Sequence, residues 1–174
     1  EKGGYPHFML KEINEQPKVA QDIIGVLESQ NSDEWIKMLE DASRHYLVAC
    51  GSSYNASIVV AYYFNRLAGL PIIHGLGGQF ELMYGQTMNE DSLTILVSQS
   101  GETKDILNVL KLVNENHYGK TLGILNVIGS TLMFQADSYI PMACGYEISV
   151  PATKTYFSQT IIFAYLAAKL GERN

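Results

Sequence analysis

Two short segments of this 174-residue chain carry the residue types for anion chemistry: Cys50-Gly51-Ser52-Ser53-Tyr54-Asn55 and Ser98-Gln99-Ser100-Gly101-Glu102-Thr103. Each follows an apolar run, is rich in small hydroxyl side chains, and holds a glycine that lets the backbone approach a ligand closely. Each also opens a helical pattern, whose first N–H groups lack intrahelical acceptors and whose dipole is positive at that end. Side by side, two such loops would cradle a phosphate with hydroxyls and backbone amides, and no lysine is needed. A single loop of this kind reads first as a helix start, because Ser and Thr are favoured N-caps and strand-to-helix turns often carry glycine. Two of them, at strand ends flanking one point of a sheet, favour the cradle.

Other chemistries find less support. Gly119-Lys120-Thr121 resembles the end of a P-loop, but position 114 is Asn and the segment precedes a strand pattern. Gly75-Leu76-Gly77-Gly78 follows a strand pattern without GxGxxG spacing, so both segments read as turns. His7, His45, His74 and His117 are scattered, and Cys50 and Cys144 form no CxxC or Cys/His pair. No metal and no other cofactor is therefore expected. Two unpaired thiols fit a reducing, cytoplasmic setting. The net charge of −6 argues against nucleic acid as the main partner. No signal-peptide pattern opens the chain, and its most apolar stretch, 156–170, is broken by Ser158, Gln159, Thr160 and Lys169. That stretch reads as a buried helix, not a membrane span.

The elements that must position the two loops follow from periodicity. Residues 1–44 read as a polar helical extension. Pro17 suits the first turn of a helix through Val19, Ile23, Ile24 and Leu27, and Asn31 or Ser32 suits the cap of a second with Trp35, Met38 and Leu39 inward. From His45 onward, short apolar runs alternate with helical periods. Tyr46–Ala49, Pro71–His74, Leu93–Val97, Thr121–Asn126 and a run from Ser138 read as strands, and 153–170 as a closing helix. That alternation predicts an α/β fold: a three-layer α/β/α sandwich over 45–174, with a five-stranded parallel sheet in the flavodoxin-like order 2-1-3-4-5. Ligands of such sheets sit beyond the carboxyl ends of the strands where the order reverses, here between the first and third strands.

Several segments also resemble a known family. Lys11-Glu12-Ile13-Asn14-Glu15-Gln16-Pro17, after Gly3-Gly4-Tyr5, is similar to the stretch leading into the isomerase half of the glucosamine-6-phosphate synthases. The two serine loops, Leu67-Ala68-Gly69-Leu70-Pro71, Asn126-Val127-Ile128-Gly129-Ser130 and Glu147-Ile148-Ser149-Val150-Pro151-Ala152-Thr153-Lys154 resemble, in order, signatures of their first sugar-isomerase (SIS) lobe. The resemblance implies an enzyme with a glutaminase domain followed by two SIS lobes, converting fructose 6-phosphate and glutamine to glucosamine 6-phosphate and glutamate. It implies that Ser53, Ser98, Gln99, Ser100 and Thr103 contact the sugar phosphate, with Ser52 and the backbone of Val150 nearby. It places the general base and the ring-opening lysine and histidine outside these residues, so no catalytic residue is carried over. Glu102 and Glu147 are expected to brace the loops, and the lobe to form a homodimer. Departures exist: Gly78-Gln79-Phe80 stands where the family usually has Ser-Glu-Phe, Ser52 where threonine is common, and Pro151-Ala152 where Ala-Ser is frequent. They leave room for a deglycase, deaminase or isomerase of a related sugar phosphate, or for a sensor module without chemistry.

Overall fold

The computed structural model describes residues 1–29 and 32–173. The apolar runs form five strands: β1 (Arg44–Ala49), β2 (Ile73–Leu76), β3 (Ser92–Ser98), β4 (Lys120–Leu125) and β5 (Ser138–Pro141). All four pairings are parallel, in the order β2-β1-β3-β4-β5. β3 is buried at every position, as a central strand covered on both faces must be. The second strand lies later than the sequence indicates, at 73–76 and not 71–74. Its ladder starts at Tyr46↔Ile73 and ends at Ala49↔Leu76, so the carboxyl end of β1 sets where β2 ends.

The helices are α1 (Phe8–Ser29), α2 (Ser32–Asp41), α3 (Gly51–Tyr63), α4 (Phe80–Tyr84), α5 (Lys104–Asn116), α6 (Thr131–Gln135) and α7 (Lys154–Gly171). A π turn, Phe64–Ala68, prolongs α3 and stops at Gly69, whose φ of 64° suits glycine. Alternate strand residues face two separate cores. Leu47, Ala49, Leu93, Ile95, Val97, Leu122, Ile124 and Ile140 meet α3 and α7, joined by residues of α1 and α2. Tyr46, Val48, Leu96 and Leu125 meet Phe80 of α4, the Ile106, Val109, Leu110 and Val113 face of α5, and Leu132 of α6. The result is the expected three-layer sandwich.

The N-terminal region departs from its expected outline. α1 begins at Phe8, so Pro17 lies inside the helix and not in its first turn. Proline removes one backbone hydrogen bond, a loss that packing of the apolar face offsets. That face is Val19, Ile23 and Leu27; Ile24 is exposed. α1 and α2 pack against α7, and Trp35 of α2 also donates from Nε1 to Ser138 Oγ of β5 at 3.2 Å. Asn31 lies outside the described residues.

Candidate functional site

β1 and β3 are neighbours, and their carboxyl ends deliver the two serine loops to one edge of the sheet. α3 starts directly after Cys50 and α5 directly after Thr103, and neither start receives a side-chain cap. The hydroxyls of these loops are not spent as caps. Their uncapped first-turn amides form the kind of site that favours an anion.

The second loop has a defined internal shape. Ser98 Oγ accepts the Gly101 N–H at 3.0 Å and shares a hydrogen bond with Thr103 Oγ1 at 2.8 Å. Ser100 Oγ accepts the Glu102 N–H at 3.2 Å, and Gln99 O accepts the Asn126 N–H at 3.0 Å. Gly101 has φ +68°, and a Cβ there would stand 2.1 Å from Ser130 Oγ, so the tight turn requires glycine. Ser98 is buried, whereas Gln99, Ser100 and Thr103 are half-exposed at the rim. In the first loop Ser52 is exposed and Ser53 half-buried, with Ser53 Oγ accepting the Gln159 Nε2–H at 2.9 Å.

Two other helix starts at this edge are already filled. Glu102 accepts the Thr131 N–H at 2.6 Å and the Thr131 Oγ1–H at 2.9 Å, at the start of α6. Glu147 accepts the N–H and Oγ1–H of Thr153 at 2.8 and 2.9 Å, together with the N–H and Oγ1–H of Thr155, at the start of α7. Both carboxylates thus direct their oxygens at these helix starts. A third carboxylate, Glu12 of α1, is 2% exposed and accepts from Ile148 N at 2.6 Å, Ser149 N at 3.2 Å and Ser149 Oγ. Burial pushes its pKa up, but the hydrogen bonds from Ser149 and Ile148 and the Lys154 charge outweigh that and leave it below 4.5. Lys154, itself buried, pairs with Glu15 at 2.8 Å. α1 thereby straps down the loop that carries Val150, whose side chain is 100% exposed and touches no other site residue.

Cys50 lies beside the cradle. Burial pushes its thiol pKa up, and Asp105 adds to this despite a hydrogen bond with the Gly77 backbone. Among the described residues no group of three or more His, Cys, Asp or Glu could hold a metal ion. A cleft of about 420 Å³ lies at the opposite, amino end of the strands, with Lys37, Glu90, Asp91, Lys120 and Asp137 in its wall. Its excess of carboxylates disfavours an anion.

Sequence reasoning missed Gln159, Glu12 and Asn126. Gln159 had a visible signal, since it shares the buried stripe of α7 with Thr155, Ile162, Phe163 and Leu166. Asn126 ties the fourth strand end to two loops: its N–H donates to Gln99 O at 3.0 Å, and its side chain donates from Nδ2 to Gly145 O at 2.7 Å and accepts from Cys144 N at 3.3 Å. Nothing in its own neighbourhood points to residues so far along the chain.

The family described as "SIS domain" matches residues 38–169. The chain is 41% identical to the glutamine–fructose-6-phosphate aminotransferase [isomerizing] of Methanothermobacter thermautotrophicus, aligned over 98% of this chain and 28% of that protein. It is 38% identical to the protein of that name from Fusobacterium nucleatum, over 98% of this chain and 30% of that one. Among solved structures, the C-terminal domain of glucosamine-fructose-6-phosphate aminotransferase from Francisella tularensis superposes with a TM-score of 0.85 at 33% identity. That match covers 100% of this chain and 51% of the other. The chain therefore spans under a third of the length of these curated relatives.

Proposed function

The chain belongs to the SIS domain family, and from that premise we propose that it is the lobe of a glutamine–fructose-6-phosphate aminotransferase that holds the phosphate of fructose 6-phosphate. The supporting observation is the pair of uncapped helix starts, α3 and α5, ringed by hydroxyls at the point where the strand order reverses. In this reading residues 45–174 are the SIS domain and 1–44 a helical extension braced on it. Ser52, Ser53, Gln99, Ser100 and Thr103 face the phosphate. Ser98 serves it through Thr103, because Ser98 is buried and bonded to that hydroxyl. The backbone at Val150 lines the sugar side.

These contacts bind substrate and transition state alike, so they position the sugar phosphate without lowering the chemical barrier by themselves. Isomerisation needs a base within reach of a carbon-bound proton. Glu102 and Glu147 are committed to helix starts, so that base, and the ammonia released from glutamine, come from a second lobe and a glutaminase domain of the complete enzyme. No helix among the described residues is long and apolar enough to cross a membrane, and we place the enzyme in the cytoplasm as a homodimer. Exposed Tyr62, Leu82 and Met83 offer apolar surface for pairing. Light scattering that finds only monomer at high concentration would remove the dimer from the reading.

Calorimetric titration with fructose 6-phosphate tests the site. Ser100→Ala and Thr103→Val should each weaken binding by about 1–3 kcal/mol, the range for hydrogen bonds to a charged group. Wild-type affinity in both would place the phosphate elsewhere. The 174-residue chain should also show only background turnover of fructose 6-phosphate to glucose 6-phosphate. Steady turnover abolished by Glu147→Gln would put the base inside this lobe and overturn its purely binding role.

A further inference from the structure

Gln159 lies on the buried stripe of α7 at 2% exposure, yet half of its amide goes unmet. Nε2 donates to Ser53 Oγ at 2.9 Å and lies 3.9 Å from Met142 Sδ, while Oε1 is buried without a partner among the described residues. In this orientation Nε2 has partners and only the oxygen is unmet. An apolar side chain of similar length would fill this place in the core at no such cost. What the amide supplies, and an apolar group would not, is the hydrogen bond to Ser53.

That bond sets which way Ser53 can act. A hydroxyl has one proton and two lone pairs, and here one lone pair receives Gln159 while the proton stays unspent. The Ser53 proton has no acceptor among the described residues and belongs to a half-buried side chain in the first turn of α3. Three hydroxyls of the second loop are arranged alike. Ser100 Oγ is engaged by the Glu102 N–H, and Ser98 Oγ by the Gly101 N–H. With Ser98 buried, the arrangement that strands no proton has Ser98 donating to Thr103 and Thr103 donating outward.

Resting on the phosphate reading above, we propose that Gln159 is a positioning residue for anion binding: by donating to Ser53 Oγ it turns that hydroxyl's proton toward the ligand. Ser53, Ser100 and Thr103 then each keep a proton to offer a ligand. Such protons suit an oxyanion whose facing oxygens are pure acceptors, as in a phosphate monoester dianion or inorganic sulfate.

The test titrates the 174-residue chain with fructose 6-phosphate in the wild type, Ser53→Ala, Gln159→Met, the double variant and Gln159→Glu, with thermal unfolding of each. Gln159→Met and Ser53→Ala should each weaken binding about tenfold, and the double variant should bind no more weakly than Ser53→Ala alone. Gln159→Met should unfold no earlier than wild type, because it removes the unmet oxygen; a merely structural glutamine would not separate binding from stability in this way. Gln159→Glu, whose carboxylate captures the Ser53 proton, should weaken binding more than Gln159→Met. Inorganic sulfate should displace fructose 6-phosphate at concentrations similar to inorganic phosphate. Three results would each overturn the proposal: wild-type affinity in Gln159→Met, an equal loss from Gln159→Met with and without Ser53→Ala, or no displacement by sulfate where phosphate displaces. If Ser100→Ala and Thr103→Val still weaken binding, only the role of Gln159 falls; if they too are silent, the phosphate reading falls and takes this proposal with it.

Discussion

Of the helices that begin at the carboxyl edge of the sheet, four divide into two pairs. The starts of α6 and α7 are filled by the protein's own carboxylates, Glu102 and Glu147, while α3 and α5 start with no side-chain cap. A filled start satisfies its amides within the fold and contributes to stability. An open start leaves them to water until an anion arrives. The same backbone geometry thus serves two ends, and the presence or absence of one carboxylate decides which. A second contrast runs beside the first: the α5 loop is shaped by bonds among residues 98–103, whereas the Val150 loop is shaped largely by Glu12, more than a hundred residues away.

Substitutions at each kind of start should separate stability from binding. The largest stability effect is expected at Glu147, which meets both Thr153 and Thr155. Glu147→Ala should lower unfolding free energy by about 2–4 kcal/mol, read from denaturant midpoints, since it strands several donors at a partly buried helix start. A change under about 0.5 kcal/mol would mean that α7 does not depend on its filled start. Next comes Glu12→Gln, at about 1–3 kcal/mol, because the buried carboxylate answers three groups at once.

Glu12 also carries a pH signature. Its folded pKa lies below 4.5, so its contribution is fully present above that value and is lost as pH falls through the folded pKa. Asp137 behaves likewise: burial raises its pKa, but the Thr121 and Lys120 bonds outweigh this and hold it below 3.8. Stability measured from about pH 6 down to about pH 3 should fall less steeply in Glu12→Gln than in wild type. Parallel curves would remove Glu12 from the acid response. Smaller still is Glu102→Gln, where exposure limits the loss to about 0.5–1 kcal/mol. The smallest change in stability, within about 0.5 kcal/mol, is expected for Ser100→Ala, although it should have a plain effect on fructose 6-phosphate affinity. A Ser100→Ala variant that unfolded as readily as Glu147→Ala would erase the distinction between filled and open starts.

Much of this architecture is legible in the chain itself. Apolar runs of strand length alternating with helical periods specify a parallel sheet covered on both faces, because only that arrangement buries both patterns. The serine loops were visible for a local reason: small hydroxyl residues and a glycine between a strand and a helix make a recognisable turn, and Ser98, Gly101 and Thr103 meet one another within six residues. Boundaries were less legible. β2 ends where its ladder with β1 ends, and α1 runs through Pro17 because α7 holds its face.

Which polar groups are spent and which are left open could not be read from the chain. Ser, Thr and Glu near a helix start look alike in sequence whether they cap it or not, since the pattern records residue types and not hydrogen-bond partners. That Glu147 fills α7, that Glu12 crosses from the first helix to Ser149, and that Gln159 reaches Ser53 are contacts between residues 6, 137 and 106 positions apart. The layers and the two loops follow from residue order alone, because periodicity and turn chemistry act over a few residues. The donor that Ser53 presents follows only from the packed fold, because the group set against its hydroxyl, Gln159, lies 106 positions along the chain.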